Sequence, residues 1–96
     1  MRRIILEATA IEDIYYFGKN DPKLLKRISE LLNAIAKEPF TGIGKPEPLR
    51  GNLQGYWSRR INEEHRLIYK VTAILLQLLH SVLIIINNFK GKIVAF

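Results

Sequence analysis

One carboxylate lies in the most arginine-rich part of this sequence. It is Glu47, and the surrounding stretch from Phe40 to Lys70 also carries the basic side chains Lys45, Arg50, Arg59, Arg60, His65, Arg66 and Lys70. A carboxylate among arginines is ionised at neutral pH and can accept a proton as a general base. Guanidinium groups bind phosphate through two hydrogen bonds and stabilise charge that builds on phosphorus. These residues therefore meet the requirements for metal-free RNA cleavage, in which a base activates the 2′-OH to attack the adjacent phosphate.

The same residues also fit a purely structural role. Strand neighbours of opposite charge form cross-strand ion pairs, and Glu47 with one of the arginines is the obvious pair in this segment. From the residue types alone, a catalytic site and a set of salt bridges both stay open.

Other kinds of site are disfavoured by spacing. Gly42-Ile43-Gly44-Lys45 lacks the spacing of a nucleotide-binding phosphate loop, and no apolar strand leads into it. His65 has no partner at metal-ligand spacing, and Ser58 has no base beside it that would make it a nucleophile. We therefore expect neither a metal nor a cofactor.

The composition predicts one small domain, residues 1–96, with a polyanionic partner. The chain has 15 Lys and Arg against 9 Asp and Glu, a formal net charge of +6. This balance favours RNA, DNA, a ribosome or an acidic protein, although charge can also serve solubility alone. The absence of cysteine excludes disulfides and fits a cytoplasmic protein. The apolar run at the N-terminus is too short for a signal peptide, and the uncharged run 73–86 is too short for a membrane span.

Periodicity predicts two helices near the N-terminus. The spacing of Thr9 and Glu12 is that of a capping box, which predicts a helix over about Ala10 to Lys19. Asp21 before a proline is typical of a helix start, so a second helix is expected to run to about Lys37. Its apolar stripe comprises Leu24, Ile28, Leu31, Leu32 and Ile35.

Strands are predicted at Arg3 to Leu6, Tyr56 to Asn62 and His65 to Thr72, the last two forming a hairpin after a Gly/Pro-rich loop. Alternation places two sets of side chains on opposite faces of the hairpin. The outward set comprises Tyr56, Ser58, Arg60, Arg66, Ile68 and Lys70, and the opposite set comprises Trp57, Arg59, Ile61, Leu67, Tyr69 and Val71. The expected fold is α+β, with two helices on one face of a small antiparallel sheet and a basic face left open.

The central block of the sequence resembles the YoeB/Txe family, toxins of the RelE superfamily from bacterial type II toxin–antitoxin modules. The similar residues are Pro39-Phe40, 42–49 (GIGKPEPL), Asn52-Leu53, 55–61 (GYWSRRI) and 64–69 (EHRLIY), within one register from about residue 3 to 72. The resemblance implies a RelE-like fold and a metal-independent mRNA interferase that cuts messages in the ribosomal A site. It also implies a cognate antitoxin whose C-terminal segment wraps the toxin, and it allows a homodimer.

The resemblance also implies roles for individual residues. Glu47 matches the family's general base, and Arg66 matches its phosphate-stabilising arginine. We expect the RNA- and ribosome-facing surface to be formed by Lys45, Arg50, Arg59, Arg60, His65 and Lys70. Ile11 departs from a frequent tryptophan in the first helix.

The C-terminus departs more seriously from the family. A strand ending in Arg-x-His-Tyr is expected, with the histidine acting as general acid for the leaving 5′-oxygen, but the matching positions fall near Ile84 and Ile85. His80 lies four residues earlier in a different context. Residues 73–96 are therefore an atypical tail, which is either a long last strand or irregular. The chain is accordingly either an active interferase or an impaired member that still binds antitoxin or ribosome, and an unrelated basic RNA-binding domain is disfavoured by the specificity of the central block.

A frameshift explains the tail, and the gene tests it. Loss of one nucleotide from an Asp-Asp pair after Thr72 would produce the present chain from one ending in the family pattern. Read one frame across, the codons for residues 73–87 are expected to encode Asp-Thr-Ile-Thr-Ile-Ile-Ala-Phe-Arg-Ser-His-Tyr, one further His or Tyr, and a stop. Sequencing the gene around codon 72 checks this, and codons that cannot encode His-Tyr in that frame would refute it.

Overall fold

The computed structural model describes residues 3–74 and 79–87. Its elements are β1 (Arg3–Leu6), α1 (Ala8–Asn20), α2 (Pro22–Lys37), β2 (Glu47–Pro48), β3 (Trp57–Arg60), β4 (Arg66–Ile74) and β5 (Leu79–Asn87), with a 3₁₀ turn at Gly51–Leu53. In these ranges no helix combines the length and the apolar character that crossing a bilayer requires.

The five strands form one sheet in the order β1-β5-β4-β3-β2. Neighbours from β2 to β5 pair antiparallel, whereas β1 pairs parallel with β5, so the sheet is mixed at one edge. The α+β prediction is confirmed, and the parallel edge is an addition to it. Chain order explains the edge, since the two helices separate β1 from the strands that follow and no hairpin turn constrains its direction.

Both helices pack on the same face of the sheet. The core contains Ala10 and Phe17 from α1, Leu31 from α2, and Leu67 and Tyr69 from β4. The outward stripe of the second helix is polar, so its apolar stripe is covered by the sheet, as the period of the sequence predicts.

The two helix starts differ in how well the sequence predicts them. Asp21 caps α2 as expected, because its side chain accepts a hydrogen bond from the Lys23 backbone N–H at 3.1 Å. The capping-box prediction at Thr9 is wrong: α1 begins at Ala8, and Glu7 occupies the cap position without a side-chain hydrogen bond. Thr9 already lies within the first turn, where the backbone carbonyl of Glu7 accepts from the N–H of Ile11.

Alternation along β4 is confirmed on the helix side, where Leu67 and Tyr69 are buried and Val71 packs against the core. On the opposite side the prediction of an open face is only partly correct. Ile68 was expected to point to solvent but is 3% exposed, and its partner Ser58 on β3 is 0% exposed. Ser58 and Ile68 are therefore covered, whereas Lys70 on the same face is exposed.

The C-terminal segment contributes to two strands rather than one. Residues up to Ile74 complete β4, and Leu79–Asn87 form β5 between β1 and β4. The rest of the predicted tail, residues 75–78 and 88–96, lies outside the described residues.

The loop between α2 and β2 passes close to the core at Gly44. A Cβ there would lie 2.8 Å from Leu31 Cδ2 and 3.1 Å from Arg59 Cβ, and φ is +83°. The carbonyl of Gly44 accepts a 2.7 Å hydrogen bond from the backbone N–H of Arg60, which joins the loop to β3. Glycine is required here both by the close approach and by the positive φ.

Gly44→Ala is expected to destabilise the protein more than Gly55→Ala. Gly55 has a φ of +95° but no atom within 4 Å of its added Cβ, so it tests conformational strain alone, about 1–2 kcal/mol. At Gly44 the clash with buried Leu31 adds about 1–3 kcal/mol of overpacking. Urea unfolding of both variants measures the difference, and equal losses would contradict the close approach.

Candidate active site

Glu47 and Arg66 meet on the sheet face that the helices leave free. Arg66 Nη1 lies 3.9 Å from Glu47 Oε1, which is an ion-pair distance but too long for a hydrogen bond. The Glu47 side chain is 59% exposed and that of Arg66 19%. Because the Glu47 carboxylate is mostly exposed and the contact is too long for a hydrogen bond, Glu47 can leave this pair at small cost.

Strand register explains why these two residues meet. Glu47 on β2 is paired with Ser58 on β3, and Arg60 on β3 is paired with Arg66 on β4. Directly paired residues share a face, and so do Ser58 and Arg60 at a spacing of two. The Glu47–Arg66 ion pair therefore spans β3, with Ser58 and Arg60 as the β3 residues on that face at that place.

Ser58 is a residue of this site that the sequence argument missed. Alternation put it on the face of Arg60, but it was rejected because no base stands beside it. Its pairing with Glu47 depends on β2, a strand of two residues that no periodic pattern can predict. The signal available in the sequence was the small side chain of Ser58, because a residue that lies beneath an ion pair between its two neighbouring strands must be small.

The outer basic residues lie around this centre. Lys70 Nζ is 5.4 Å from the centroid of the Tyr56 ring, within cation–π range. Strand alternation places both residues on the same face of the sheet as Ser58. Lys45 and Arg50 are exposed and flank β2 on the two sides of Glu47. These positions agree with a basic rim, and their individual roles stay predictions.

Arg59 does not lie on this surface, and its expected place in an RNA-facing set is wrong. The residue is 0% exposed, and its guanidinium donates to three backbone carbonyls: Glu38 at 2.7 Å, Thr41 at 2.8 Å and Ile43 at 3.1 Å. Its Nε donates to the Tyr69 hydroxyl at 3.2 Å. Alternation already grouped Arg59 with Trp57 and Ile61, and the backbone carbonyls of the loop supply the acceptors that its charge needs.

Tyr69 completes this buried network. Its hydroxyl accepts from Arg59 and donates to the carbonyl of Pro39, at the end of α2. Burial raises the pKa of Tyr69, and the hydrogen bond and charge of Arg59 lower it by less. The phenol is therefore held in its neutral, donating form.

His65 is also on the other side of the sheet from Glu47. Its ring lies 4.9 Å from that of Phe17 in α1, and its Nδ1 is buried without a hydrogen-bond partner in the described part of the chain. Nearby, burial raises the pKa of Asp13, Glu12 raises it further, and His65 opposes both. The RNA-facing prediction for His65 is therefore wrong, because strand alternation places His65 on the same face of the sheet as the core residue Leu67.

The arrangement supplies a carboxylate, a guanidinium beside it and further donors on one face. A carboxylate can remove a proton, and the guanidinium can hold an anion next to it. Among residues 3–74 and 79–87, no group of three or more His, Asp or Glu side chains could hold a metal ion.

Comparison with known proteins decides the family. The model of a family described as YoeB-like toxin of bacterial type II toxin–antitoxin systems matches residues 6–82. The chain belongs to this family.

Individual YoeB proteins are similar over most of the chain. Toxin YoeB of Synechocystis is 66% identical over 59 residues, 62% of this chain and 69% of the relative. Among solved structures, a YoeB/ParE toxin from Agrobacterium tumefaciens has a TM-score of 0.81 at 30% identity, covering 95% of this chain and 99% of that one. A chain of the heterotetrameric YoeB-YefM toxin–antitoxin complex from Staphylococcus aureus has a TM-score of 0.74 at 41% identity, with coverage of 97% and 99%. A YoeB dimer from the same organism has a TM-score of 0.73 at 41% identity, with coverage of 96% and 98%.

The strand on which the YoeB resemblance predicts a terminal His-Tyr is present as β5. Ile84 is paired with Tyr69 and Ile85 with Ile68, so the backbone of β5 runs beside the site with apolar residues at the matching positions. His80 is paired with Ala73, seven residues along β4 from Arg66 (73 − 66), or about 23 Å at 3.3 Å per residue. His80 therefore lies on β5 far from the Glu47–Arg66 pair.

Arg59→Lys is expected to lower the free energy of unfolding by about 3 kcal/mol, although the charge is kept. The ammonium group of lysine has three donors and lacks the planar fork of the guanidinium, so it cannot bind all four acceptors. Loop carbonyls and the buried Tyr69 hydroxyl therefore lose partners. Arg60→Lys, a half-buried neighbour on the opposite face, is the matched control and should cost about 1 kcal/mol or less. Urea unfolding compares the two, and a tolerated Arg59→Lys would show that the network does not hold the loop.

Proposed function

We propose that this chain is the toxin of a type II toxin–antitoxin module and cleaves mRNA on the ribosome without a metal. The observation that carries the proposal is the Glu47–Arg66 pair, 3.9 Å apart on the free face of the sheet. Membership of the YoeB-like family supports the same reaction class.

In the proposed reaction Glu47 removes the proton from a ribose 2′-OH. The 2′-oxygen attacks the adjacent phosphorus, the bond to the 5′-oxygen breaks, and the products are a 2′,3′-cyclic phosphate and a 5′-hydroxyl end. Arg66 stabilises the charge that builds on the phosphoryl oxygens. The leaving 5′-oxygen needs a proton, which water supplies where no side chain does.

The proposed partners are a cognate antitoxin, the ribosome with its mRNA, and a second copy of the chain, all in the cytoplasm. The S. aureus YoeB-YefM complex supports the antitoxin, and the S. aureus YoeB dimer supports self-association. The net charge of +6 and the basic rim support the ribosome.

A second candidate function is binding without efficient cleavage. The observation that favours it is the apolar character of Ile84 and Ile85, at the positions where the YoeB resemblance predicts the general acid. Loss of a general acid costs about 10²–10⁴ in rate. Such a chain would still engage antitoxin or ribosome through the remainder of its surface.

Cleavage of mRNA by purified chain on ribosomes, followed by primer extension, tests the proposal. Glu47→Ala is expected to abolish cleavage because the base is lost, and Glu30→Ala, an exposed carboxylate on α2, should leave it unchanged. A chain whose residues 73–96 are replaced by the frame-restored ending should cleave about 10²–10⁴ faster than the present one.

Two results would contradict the proposed reaction. One is cleavage that survives Glu47→Ala, and the other is no cleavage by either the present or the frame-restored chain. Absence of cleavage by the present chain alone, together with retained ribosome binding and activity in the frame-restored chain, would favour the second candidate.

A further inference from the structure

Three polar groups on the face of Glu47 are buried without a hydrogen-bond partner in the described part of the chain. They are Ser58 Oγ, Arg60 Nε and Arg66 Nη1. Unpartnered buried polar atoms are rare in folded proteins, because each costs desolvation energy that no bond offsets. Three of them on one face of neighbouring strands therefore call for a common explanation.

Strand register brings the three groups to one place. Arg60 and Arg66 are direct cross-strand partners, and Ser58 is two residues before Arg60 on the same face. Cross-strand partners have Cβ atoms about 4.5–5.5 Å apart, and a two-residue step along a strand is about 7 Å. All three side chains can therefore reach one small ligand that sits over β3 beside Glu47.

The chemistry of the three groups specifies that ligand. Arg60 Nε and Arg66 Nη1 are cationic N–H donors, and the Ser58 hydroxyl is a neutral donor. Three donors around one point, two of them charged, fit an oxyanion with several acceptor oxygens. We propose that Ser58 is a substrate-binding residue that, with Arg60 and Arg66, holds the RNA phosphate at the bond to be cleaved.

This inference rests on the proposed function for the source of the phosphate, and it adds the serine as a ligand. In the free protein Ser58 is covered, so the phosphate must replace part of what covers it. The Glu47–Arg66 pair spans this position, and its 3.9 Å contact is too long for a hydrogen bond, so an anion that bonds to Arg66 Nη1 can replace the exposed Glu47 carboxylate. Phosphate then takes the place of the carboxylate as the counter-ion of Arg66, and Glu47 is released next to the reacting ribose.

A structural role for Ser58 predicts the opposite effect of mutation on stability. If the serine stabilised the fold through its hydroxyl, Ser58→Ala would lower the stability. Because Ser58 Oγ has no partner, its removal should leave the free energy of unfolding unchanged or raise it. Only ligand affinity should fall.

The test titrates ¹⁵N-labelled protein with inorganic phosphate at constant ionic strength and follows NMR shifts, including the Arg60 Nε–H signal. Ser58→Ala is expected to weaken phosphate binding about three- to tenfold, the value of one lost hydrogen bond. Ser58→Cys keeps the shape of the side chain, replaces the hydroxyl by a larger and weaker donor, and should show the same direction of change. Ser29→Ala, on the exposed side of α2, is the matched control and should bind phosphate as the unmodified chain does.

A 2′-deoxy dinucleotide, which cannot be cleaved, tests whether the phosphate of a nucleic acid uses the same three groups. Unchanged phosphate affinity in Ser58→Ala and Ser58→Cys, an unshifted Arg60 Nε–H signal, or a dinucleotide that ignores Ser58 would each overturn the inference. A parallel loss of stability in both Ser58 variants would also overturn it, in favour of a structural role. Because phosphate binding is measured without RNA cleavage, the test can support or refute the Ser58 site independently of the proposed Glu47 reaction.

Discussion

The buried guanidinium of Arg59 is the interaction on which the site depends. It binds the carbonyls of Glu38, Thr41 and Ile43, which belong to the end of α2 and the loop that leads to β2. The Tyr69 hydroxyl adds a bond to Pro39, so that strands β3 and β4 together hold this loop. A loop of glycines and prolines has no regular hydrogen bonds of its own, and a fixed cation with several donors supplies them. Glu47 comes directly after this loop, so the position of the Glu47 carboxylate depends on an arginine on the other face of the sheet.

Adjacent arginines in β3 therefore have opposite roles. Arg59 points towards the helices and has its donors satisfied by neutral carbonyls, whereas Arg60 points to the free face and has a buried Nε without a partner among the described residues. Alternation along a strand makes this division unavoidable for two consecutive residues. The inward arginine costs desolvation energy that its hydrogen bonds offset. The outward one keeps a donor without a partner among the described residues, so the same residue type joins a loop to the sheet on one face and is available to a ligand on the other.

Local signals in the sequence predicted most of the fold, and non-local pairing explains what they missed. The predictions of the second helix, its Asp21 cap and the hairpin were correct. An apolar stripe, a capping residue and strand alternation each depend on residues that are close together in the sequence. The Thr9 cap failed because α1 begins one residue before it. Glu47 and Arg66, which the sequence grouped together, lie 3.9 Å apart in the structure, and their catalytic roles stay predictions. Alternation predicts that Arg59 points inward, whereas its charge favours the surface. The position of Ser58 beside Glu47 depends on the pairing of β2 with β3, which the sequence does not reveal.

The segments that form the site also differ in how far their residue types can change without loss of the fold. The proposed base and the proposed phosphate-binding groups come from β2, β3 and β4, and the general acid that the YoeB resemblance predicts would come from β5. That strand lies between β1 and β4, so its backbone is paired on both sides. Ladder hydrogen bonds do not depend on side-chain identity, and a central strand accepts a nearly continuous apolar run such as residues 82–86. A changed β5 sequence can thus keep the strand while losing the proton donor. Retention of the fold in this chain is accordingly weak support for full catalysis, and the chemistry has to be judged from the residue types at positions 84 and 85.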